Sequence, residues 1–150
     1  ILIESAYFIP DLRIRSALKK AARRGVVVAV AVARENDVAV AALASRNLYG
    51  ELLASHVRIF EWPHGMLHAK TAVIDDAWAI VGSYNFDHRS LVHQLEAVAM
   101  ISDVAFARTL RRQTLADLAQ CHEVTLEEFE SRPWHQMLLQ SLCYKFRHWM

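Results

Sequence analysis

A chain of 150 residues with 54% hydrophobic residues can form one domain with its own core, and its few prolines and glycines indicate no disordered linker. The formal net charge of +1 excludes a strong overall attraction to polyanions, so we expect no nucleic-acid partner. The longest apolar run, residues 26–33, is too short to span a membrane, and the lack of an initiator Met leads us to expect a longer parent protein.

The first part of the chain alternates between strand and helix patterns. These patterns predict, in chain order, a strand over residues 1–9, a helix over 11–24, a strand over 26–33, a helix over 38–54 and a strand over 57–60. Gly25 is placed to end the first helix, and Asp37 is placed to cap the second. Strands that alternate with helices indicate an α/β layered sandwich.

Three strands and a long helix are predicted further along. The strands follow a turn at residues 62–65 and cover residues 70–74, 78–81 and 95–101. Asp103 is placed to cap a helix that reaches about residue 120. The third of these strands carries Glu96.

The chemistry of the chain is concentrated in the pattern H-x-K-x4-D-x6-G-S-x-N, which begins at His68. An imidazole with a near-neutral pKa can attack phosphorus and leave again, so His68 is the candidate nucleophile. Lys70 lies two residues further on a predicted strand, and therefore on the same face, where its ammonium can neutralise phosphate oxygens. Ser83 and Asn85 follow the next strand and supply further hydrogen-bond donors. The pattern predicts a phosphate site.

A simpler interpretation treats these residues as the exposed ends of a hairpin. Six specified residues at fixed spacing are a rare coincidence in a chain of this length, so we favour the phosphate site. The role of Asp75 stays open, because this residue follows apolar residues at a strand end and suits a structural role in the loop as well as a catalytic one.

The pattern resembles the signature of the phospholipase D superfamily, whose members cleave and form phosphodiester bonds through a phosphohistidine. Residues 7–11 (YFIPD), 17–26 and 82–91 (GSYNFDHRSL) are similar to a half-domain of the bacterial cardiolipin synthase type. The resemblance covers nearly the full length. It implies a phospholipase D-like layered sandwich with a mixed β-sheet flanked by helices, forming one half of a two-motif bilobal enzyme over residues 1–150.

The resemblance also implies roles for individual side chains. The implied catalytic residues are His68, Lys70, Asp75 and Glu96, and the implied phosphate-binding residues are Lys70, Ser83 and Asn85. Glu96 stands where a family glutamate holds the nucleophilic histidine by a hydrogen bond. These synthases usually carry asparagine two residues before that glutamate, whereas this chain has Gln94, which predicts altered packing. No metal or cofactor is required, since side chains supply the neutralising charge.

The implied function is phosphatidyl transfer to an alcohol acceptor such as phosphatidylglycerol. The alternatives are a phospholipase D or a phosphodiesterase of the nuclease kind, with water as acceptor, and a non-catalytic half-domain that scaffolds a partner. Superfamily active sites combine two H-x-K motifs and this chain has one. We therefore expect either an N-terminal half with the second motif, which the cardiolipin synthase features favour, or a second copy in a homodimer.

The C-terminal segment, residues 133–150, has apolar residues at helical spacing with basic neighbours. This pattern predicts an amphipathic helix that packs on the core or docks on a membrane. A phospholipid substrate implies a peripheral protein at the cytoplasmic side of the bacterial inner membrane, with no transmembrane segment in this chain. Cys121 and Cys143 lack metal-site spacing and are expected to be buried thiols.

Overall fold

The strands form one mixed sheet. The computed structural model describes residues 1–146, and its strands are β1 (Leu2–Ser5), β2 (Ala29–Ala33), β3 (Arg58–Trp62), β4 (Lys70–Ile74), β5 (Trp78–Gly82), β6 (Val98–Ser102) and β7 (His122–Val124). Their order across the sheet is β6-β5-β4-β1-β2-β3-β7. β2 pairs in parallel with β1 and β3, and the other neighbouring pairs are antiparallel. The predicted mixed sheet is confirmed.

Helices cover both faces of this sheet. They are α1 (Leu12–Arg23), α2 (Ala39–Arg46), α3 (Tyr49–Leu53), α4 (His88–Val92), α5 (Val104–Leu118), α6 (Leu126–Glu130) and α7 (Trp134–Lys145). On one face Leu18 of α1 and Ala44 of α2 belong to the same buried cluster as Ile3. On the other face Leu118 of α5 packs with Leu2. These two buried clusters confirm the predicted layered sandwich.

Several helix ends follow the local sequence signals. The Asp11 carboxylate accepts hydrogen bonds from two first-turn N–H groups of α1, at 2.7 and 2.9 Å. Asp103 accepts from the N–H of Phe106 at 2.7 Å and caps α5 in the same way. Gly25 follows α1 with a φ of +90°, a left-handed conformation that glycine adopts without steric cost. The predicted helix end at Gly25 and the predicted cap at Asp103 are confirmed, and Asp11, where the first helix was predicted to begin, is its N-cap.

The predicted cap at Asp37 is wrong. The residue that precedes α2 is Val38, and no side chain caps this helix. Asp37 instead accepts a hydrogen bond from the Tyr7 hydroxyl, so a tertiary contact replaces the local one. The single helix predicted over residues 38–54 is also wrong, because the chain divides into α2 and α3 around Asn47, a weak helix former.

The strand predicted over residues 95–101 begins later, at Val98. The N–H of Ala97 donates to the Ser83 side chain at 3.1 Å rather than to a backbone carbonyl of β5, which ends the regular ladder there. Glu96 therefore precedes the strand that was expected to carry it. The short elements α4, α6 and β7 were not predicted.

Strand directions bring several chain segments to one edge of the sheet. β1, β2, β3 and β5 end at this edge, whereas β4 and β6 begin there. Ser5, the last residue of β1, pairs with Lys70, the first residue of β4. Gly82, the last residue of β5, pairs with Val98, the first residue of β6. We call this side of the sheet the motif edge.

The predicted C-terminal amphipathic helix corresponds to α7, and residues 147–150 of that prediction lie outside the described residues. Within residues 1–146, no helix has both the length and the apolar character that crossing a bilayer requires. Cys121 and Cys143 are free thiols, and Cys143 is buried as expected, whereas Cys121 is only partly buried.

Candidate active site

The motif edge gathers most of the predicted site residues. His68 lies two residues before β4, and Lys70 opens that strand. Ser83 and Asn85 directly follow β5, which is paired with β4, while Glu96 lies two residues before β6. Neighbouring strands are separated by about 4.8 Å, so these segments lie side by side. Of the six predicted site residues, the sheet therefore brings together all except Asp75.

His68 is exposed, and its backbone is firmly held. The carbonyl oxygen of Ala69 accepts a hydrogen bond from the N–H of Ala6 at 3.1 Å, which ties this segment to the chain that follows β1. The Lys70 ammonium donates to the carbonyl oxygen of His68 at 3.4 Å. An exposed imidazole on an anchored backbone is accessible to a substrate.

The Lys70 ammonium lies in a partly desolvated, acidic environment. Burial lowers the pKa of Lys70, and the carboxylates of Glu96 and Asp87 partly oppose this shift. An incoming phosphate would meet this ammonium with the carboxylates of Glu96 and Asp87 nearby. This arrangement can neutralise charge on a phosphoryl group.

Ser83 and Glu96 contact each other. The Ser83 hydroxyl donates to the Glu96 carboxylate and accepts from the N–H of Ala97. In the amide orientation that satisfies its neighbours, Gln94 donates to the other Glu96 oxygen at 3.0 Å and accepts from Arg89 at 3.2 Å. Within residues 1–146, Glu96 is thus held by Ser83 and Gln94, and the hydrogen bond expected between Glu96 and His68 is not formed.

Asn85 presents an uncommitted polar group. Its backbone N–H donates to the Ser90 hydroxyl at 3.3 Å, whereas its buried Oδ1 atom has no hydrogen-bond partner among the described residues. Asn85 also lines a cavity of about 200 Å³ together with Tyr7 and Arg89. A buried amide oxygen without a partner is costly, which is expected where a ligand supplies the missing contact.

Sequence reasoning missed three neighbours of the site: Tyr7, Tyr84 and Asp87. Burial and the nearby Asp37 carboxylate raise the pKa of the Tyr7 phenol to about 12. Burial, followed by the carboxylates of Asp11, Asp87 and Glu96, raises the pKa of Tyr84. Both phenols therefore stay protonated at neutral pH, and the Tyr7 hydroxyl donates to Asp37.

Asp87 has two functions that a local pattern could have revealed in part. Its carboxylate accepts from the N–H of Ser90 at 2.7 Å and caps α4, and Asp is one of the residues preferred at the N-cap of a helix. Its electrostatic effect on Lys70 and Tyr84 depends on the tertiary fold, so no local signal announces it.

The segments after β1 and β5 are joined to each other. Phe8 and Phe86 form a parallel bridge, the N–H of Ile9 donates to the Phe86 carbonyl at 2.6 Å, and the two phenyl rings lie 5.6 Å apart. Next to this junction, a cavity of about 470 Å³ is lined by Tyr84 and Asp87 from one segment and by residues 9–13 from the other. The motif edge therefore continues into a preformed cavity.

Asp75 lies at the opposite end of the sheet. It is five residues beyond Lys70 along β4, which corresponds to about 16 Å. Asp75 and Asp76 have φ values of 52° and 54°, and the N–H of Ala77 donates to the carbonyl of Ile74 at 3.2 Å, which makes a tight hairpin turn. Of the two roles left open for Asp75, this position favours the structural one.

The turn predicts how Asp75 variants will behave. Asp75→Asn should keep the turnover of the full-length protein within about threefold, because asparagine also tolerates the left-handed conformation. Asp75→Val should lower the free energy of unfolding by about 1–3 kcal/mol, since a β-branched residue is strained there. Turnover and chemical denaturation would be measured together. A large loss of turnover in a stably folded Asp75→Asn protein would support a catalytic role instead.

Comparison with known proteins identifies the family. The family model described as cardiolipin synthase, PLD-like domain, matches residues 1–118. The chain belongs to this family. Its sequence is 38% identical to cardiolipin synthase B of Escherichia coli over 150 residues, which cover 99% of this chain and 36% of that protein. It is 36% identical to cardiolipin synthase A of Proteus mirabilis over 146 residues, which cover 97% of this chain and 30% of that protein.

The chain thus spans about a third of the length of the curated relatives it matches. A solved structure confirms the fold expected for such a domain. Nuc from Salmonella typhimurium, a phospholipase D family member, superposes with a TM-score of 0.70 at 20% identity, covering 82% of this chain and 80% of Nuc. The predicted family and the phospholipase D-like fold are both confirmed.

Proposed function

We propose that this PLD-like domain is one catalytic half of a phosphatidyltransferase of the cardiolipin synthase type, which works through a phosphohistidine on His68. The observation that carries the proposal is the meeting of the exposed His68 and the Lys70 ammonium at the edge of the sheet where Asn85 also lies. A nucleophile, a cation and a side-chain NH₂ donor are the elements that phosphoryl chemistry needs.

In the first step, an imidazole nitrogen of His68 attacks the phosphorus of a phosphatidyl donor such as phosphatidylglycerol. A P–N bond forms, the P–O bond to the alcohol breaks, and the leaving oxygen takes a proton from the second histidine of the complete site. The Lys70 ammonium and the side-chain NH₂ group of Asn85 donate to non-bridging oxygens as their charge grows. The Ser83 hydroxyl assists if it turns from Glu96 towards the phosphate.

In the second step, an acceptor hydroxyl gives its proton to that same second histidine and attacks the phosphatidyl-histidine. The P–N bond breaks and His68 is restored. Glu96 supports positive charge in this region, consistent with its opposition to the lowered pKa of Lys70. A second phosphatidylglycerol as acceptor would yield cardiolipin, whereas water would yield phosphatidic acid.

The second motif must come from outside this chain. We place it in an N-terminal half of the same protein, in preference to a second copy, because the cardiolipin synthase relatives are about three times as long as this chain. The surface of this domain supports a partner near the motif edge. The edge strand β6 carries the exposed apolar residues Val98 and Met100, and the exposed Leu95 precedes it. We place the assembled enzyme peripherally at the cytoplasmic side of the inner membrane.

The direct test is mass spectrometry of the lipids formed when the full-length protein meets vesicles of phosphatidylglycerol and phosphatidylethanolamine. Cardiolipin as the product would support the transferase, and phosphatidic acid alone would make the protein a phospholipase. No change in either lipid would reject the proposed substrate class and turn attention to other phosphodiesters.

Lys70 offers a test of charge neutralisation. Lys70→Met should lower the transfer rate by about 10²–10³-fold, whereas Lys70→Arg should retain more of the rate because it keeps the positive charge. Rates with saturating lipid would be compared after both variants are shown to fold. Equal activity of Lys70→Met and the unmodified protein would remove Lys70 from the mechanism.

The pH dependence follows from the lowered pKa of Lys70. The ammonium loses its proton at a lower pH than the ordinary value of about 10.4, so transfer should decline with rising pH before that point. The decline should disappear in Lys70→Arg, whose guanidinium stays charged. A pH–rate profile of both proteins would show this, and an unchanged alkaline decline in Lys70→Arg would assign it to another group.

A further inference from the structure

Helix α7 presents an apolar stripe to solvent. Its buried residues, Gln140 and Cys143, face the domain, and the helix packs against α2. On the opposite side Trp134, Leu138 and Leu142 are 74%, 63% and 50% exposed. These three residues are spaced by four positions, so they form one continuous stripe along the helix. Within residues 1–146 the stripe therefore remains open to solvent.

The charges around this stripe match an anionic surface. α7 contains no acidic residue and ends with the exposed Lys145. α1 lies on the same face of the sheet and also lacks acidic residues. Arg13 and Lys20 on this helix and Arg24 directly after it are exposed. Tryptophan and leucine on one side with basic residues around them are typical of helices that lie in a lipid interface.

Helices α1 and α7 meet beside the motif edge. An Nη atom of Arg15 on α1 donates to the Tyr144 hydroxyl on α7 at 3.1 Å. Tyr144 also lines the 470 Å³ cavity that Tyr84 and Asp87 of the motif segment line. Leu12, at the rim of this cavity, is exposed. A membrane that contacts the stripe would therefore meet the mouth of the cavity.

We propose that the stripe of Trp134, Leu138 and Leu142, together with the basic side chains of α1, is a docking surface for an anionic phospholipid bilayer. The surface holds the motif edge next to lipid headgroups and so delivers substrate to His68. The delivery part of this inference rests on the proposed function, whereas the docking part does not.

Vesicle binding by the full-length protein tests the docking. Leu138→Asp with Leu142→Asp should weaken binding to vesicles of phosphatidylglycerol and phosphatidylethanolamine by at least about tenfold, because two apolar side chains are replaced by charges of the wrong sign. The matched control is Leu115→Asp on α5, whose side chain is 40% exposed and lies on the other face of the sheet. The control should bind like the unmodified protein. Equal binding by the double variant, or equal loss in the control, would overturn the proposal.

Charge is tested separately. Lys20→Glu with Arg24→Glu should weaken binding to the anionic vesicles by at least about fivefold, and 1 M salt should reduce the difference, since screening removes the attraction. Vesicles of phosphatidylcholine alone should bind both proteins equally and weakly. Binding that ignores lipid charge, salt and these substitutions would overturn the anionic part of the proposal.

Hydrogen exchange tests the contact of α7 with lipid directly, even where another part of the full-length protein also binds the vesicles. Amides of α7 should exchange at least about threefold more slowly when anionic vesicles are added, and amides of α5 should not change. Unchanged exchange in α7 would overturn the proposal. A change in oligomeric state on Leu138→Asp with Leu142→Asp would also overturn it, because the stripe would then be a protein interface.

A soluble substrate separates failure of the surface from failure of the proposed function. With monomeric short-chain phosphatidylglycerol, the double variant should turn over lipid like the unmodified protein, while its turnover on vesicles falls at least about tenfold. Equal turnover of both proteins on vesicles would reject the delivery role and leave the enzyme proposal standing. Weakened vesicle binding without turnover of either substrate by any protein would reject the proposed function and leave the docking surface standing.

Discussion

Replacing His68 by alanine should reduce phosphatidyl transfer by at least about 10⁴-fold while the protein stays folded. The imidazole is exposed and lies outside the buried clusters, so its removal should hardly affect stability. Alanine cannot form the P–N bond, and neither Lys70 nor Asn85 can replace a nucleophile. The rate would be measured as lipid product formed by the full-length protein, with circular dichroism as the check on folding.

A neighbouring histidine provides the matched control. His64 is also exposed and lies in the loop before the motif, with its ring 5.3 Å from that of Trp62. His64→Ala should retain at least about half of the activity. Mass spectrometry of protein quenched during turnover should find a phosphatidyl adduct on the peptide that contains His68. Transfer by His68→Ala within tenfold of the unmodified rate would exclude His68 as the essential nucleophile.

Replacing Gly82 by alanine should damage both the fold and the site. A Cβ atom at this position would lie 2.3 Å from the carbonyl oxygen of Ala97 and 2.9 Å from the Cα of Val98. Both contacts involve the backbone of the paired segment, so relief requires β5 and β6 to separate. We expect the free energy of unfolding to fall by about 3 kcal/mol. Ser83 and Asn85 follow immediately, and a displacement of about 1 Å should cost about 10²-fold in rate.

Gly50→Ala is the control for this substitution. Its Cβ would meet only the edge of the Phe129 ring, at 3.0 Å, which is a side chain able to move. Alanine is also the better helix former within α3, so stability should change by less than about 1 kcal/mol. Urea denaturation and the transfer rate would be compared for both variants. Wild-type stability in Gly82→Ala would show that the strands are less closely paired than the structure indicates.

The parts of the fold that short-range signals determine could be predicted. The cap at Asp103 and the helix end at Gly25 depend on bonds within a few residues, and both are observed. The cap at Asp37 failed because the distant Tyr7 hydroxyl competes for the same carboxylate. The short β7 was missed because three residues give no periodic pattern and its pairing with β3 is long-range.

The site shows the same division. His68, Lys70 and Asn85 were found from their spacing, and the sheet places them at one edge. The bond between Ser83 and Glu96 could not be predicted, because it depends on how β6 pairs with β5. The amide of Gln94, noted only as a departure from a family pattern, proves to hold Glu96.

The meander of β4, β5 and β6 has a consequence for how such proteins diverge. Every side chain assigned to the chemistry comes from residues 68–96. The 470 Å³ cavity is lined by Tyr84 and Asp87 of that segment and also by residues 9–13 and Tyr144, whereas the apolar stripe comes from α7 alone. Part of the cavity wall and the whole stripe therefore lie outside the segment that carries the proposed chemistry. Mutations in residues 9–13 or in the stripe can change what this surface accepts while residues 68–96 stay intact. Duplication of the whole unit supplies a second reacting set in a single event.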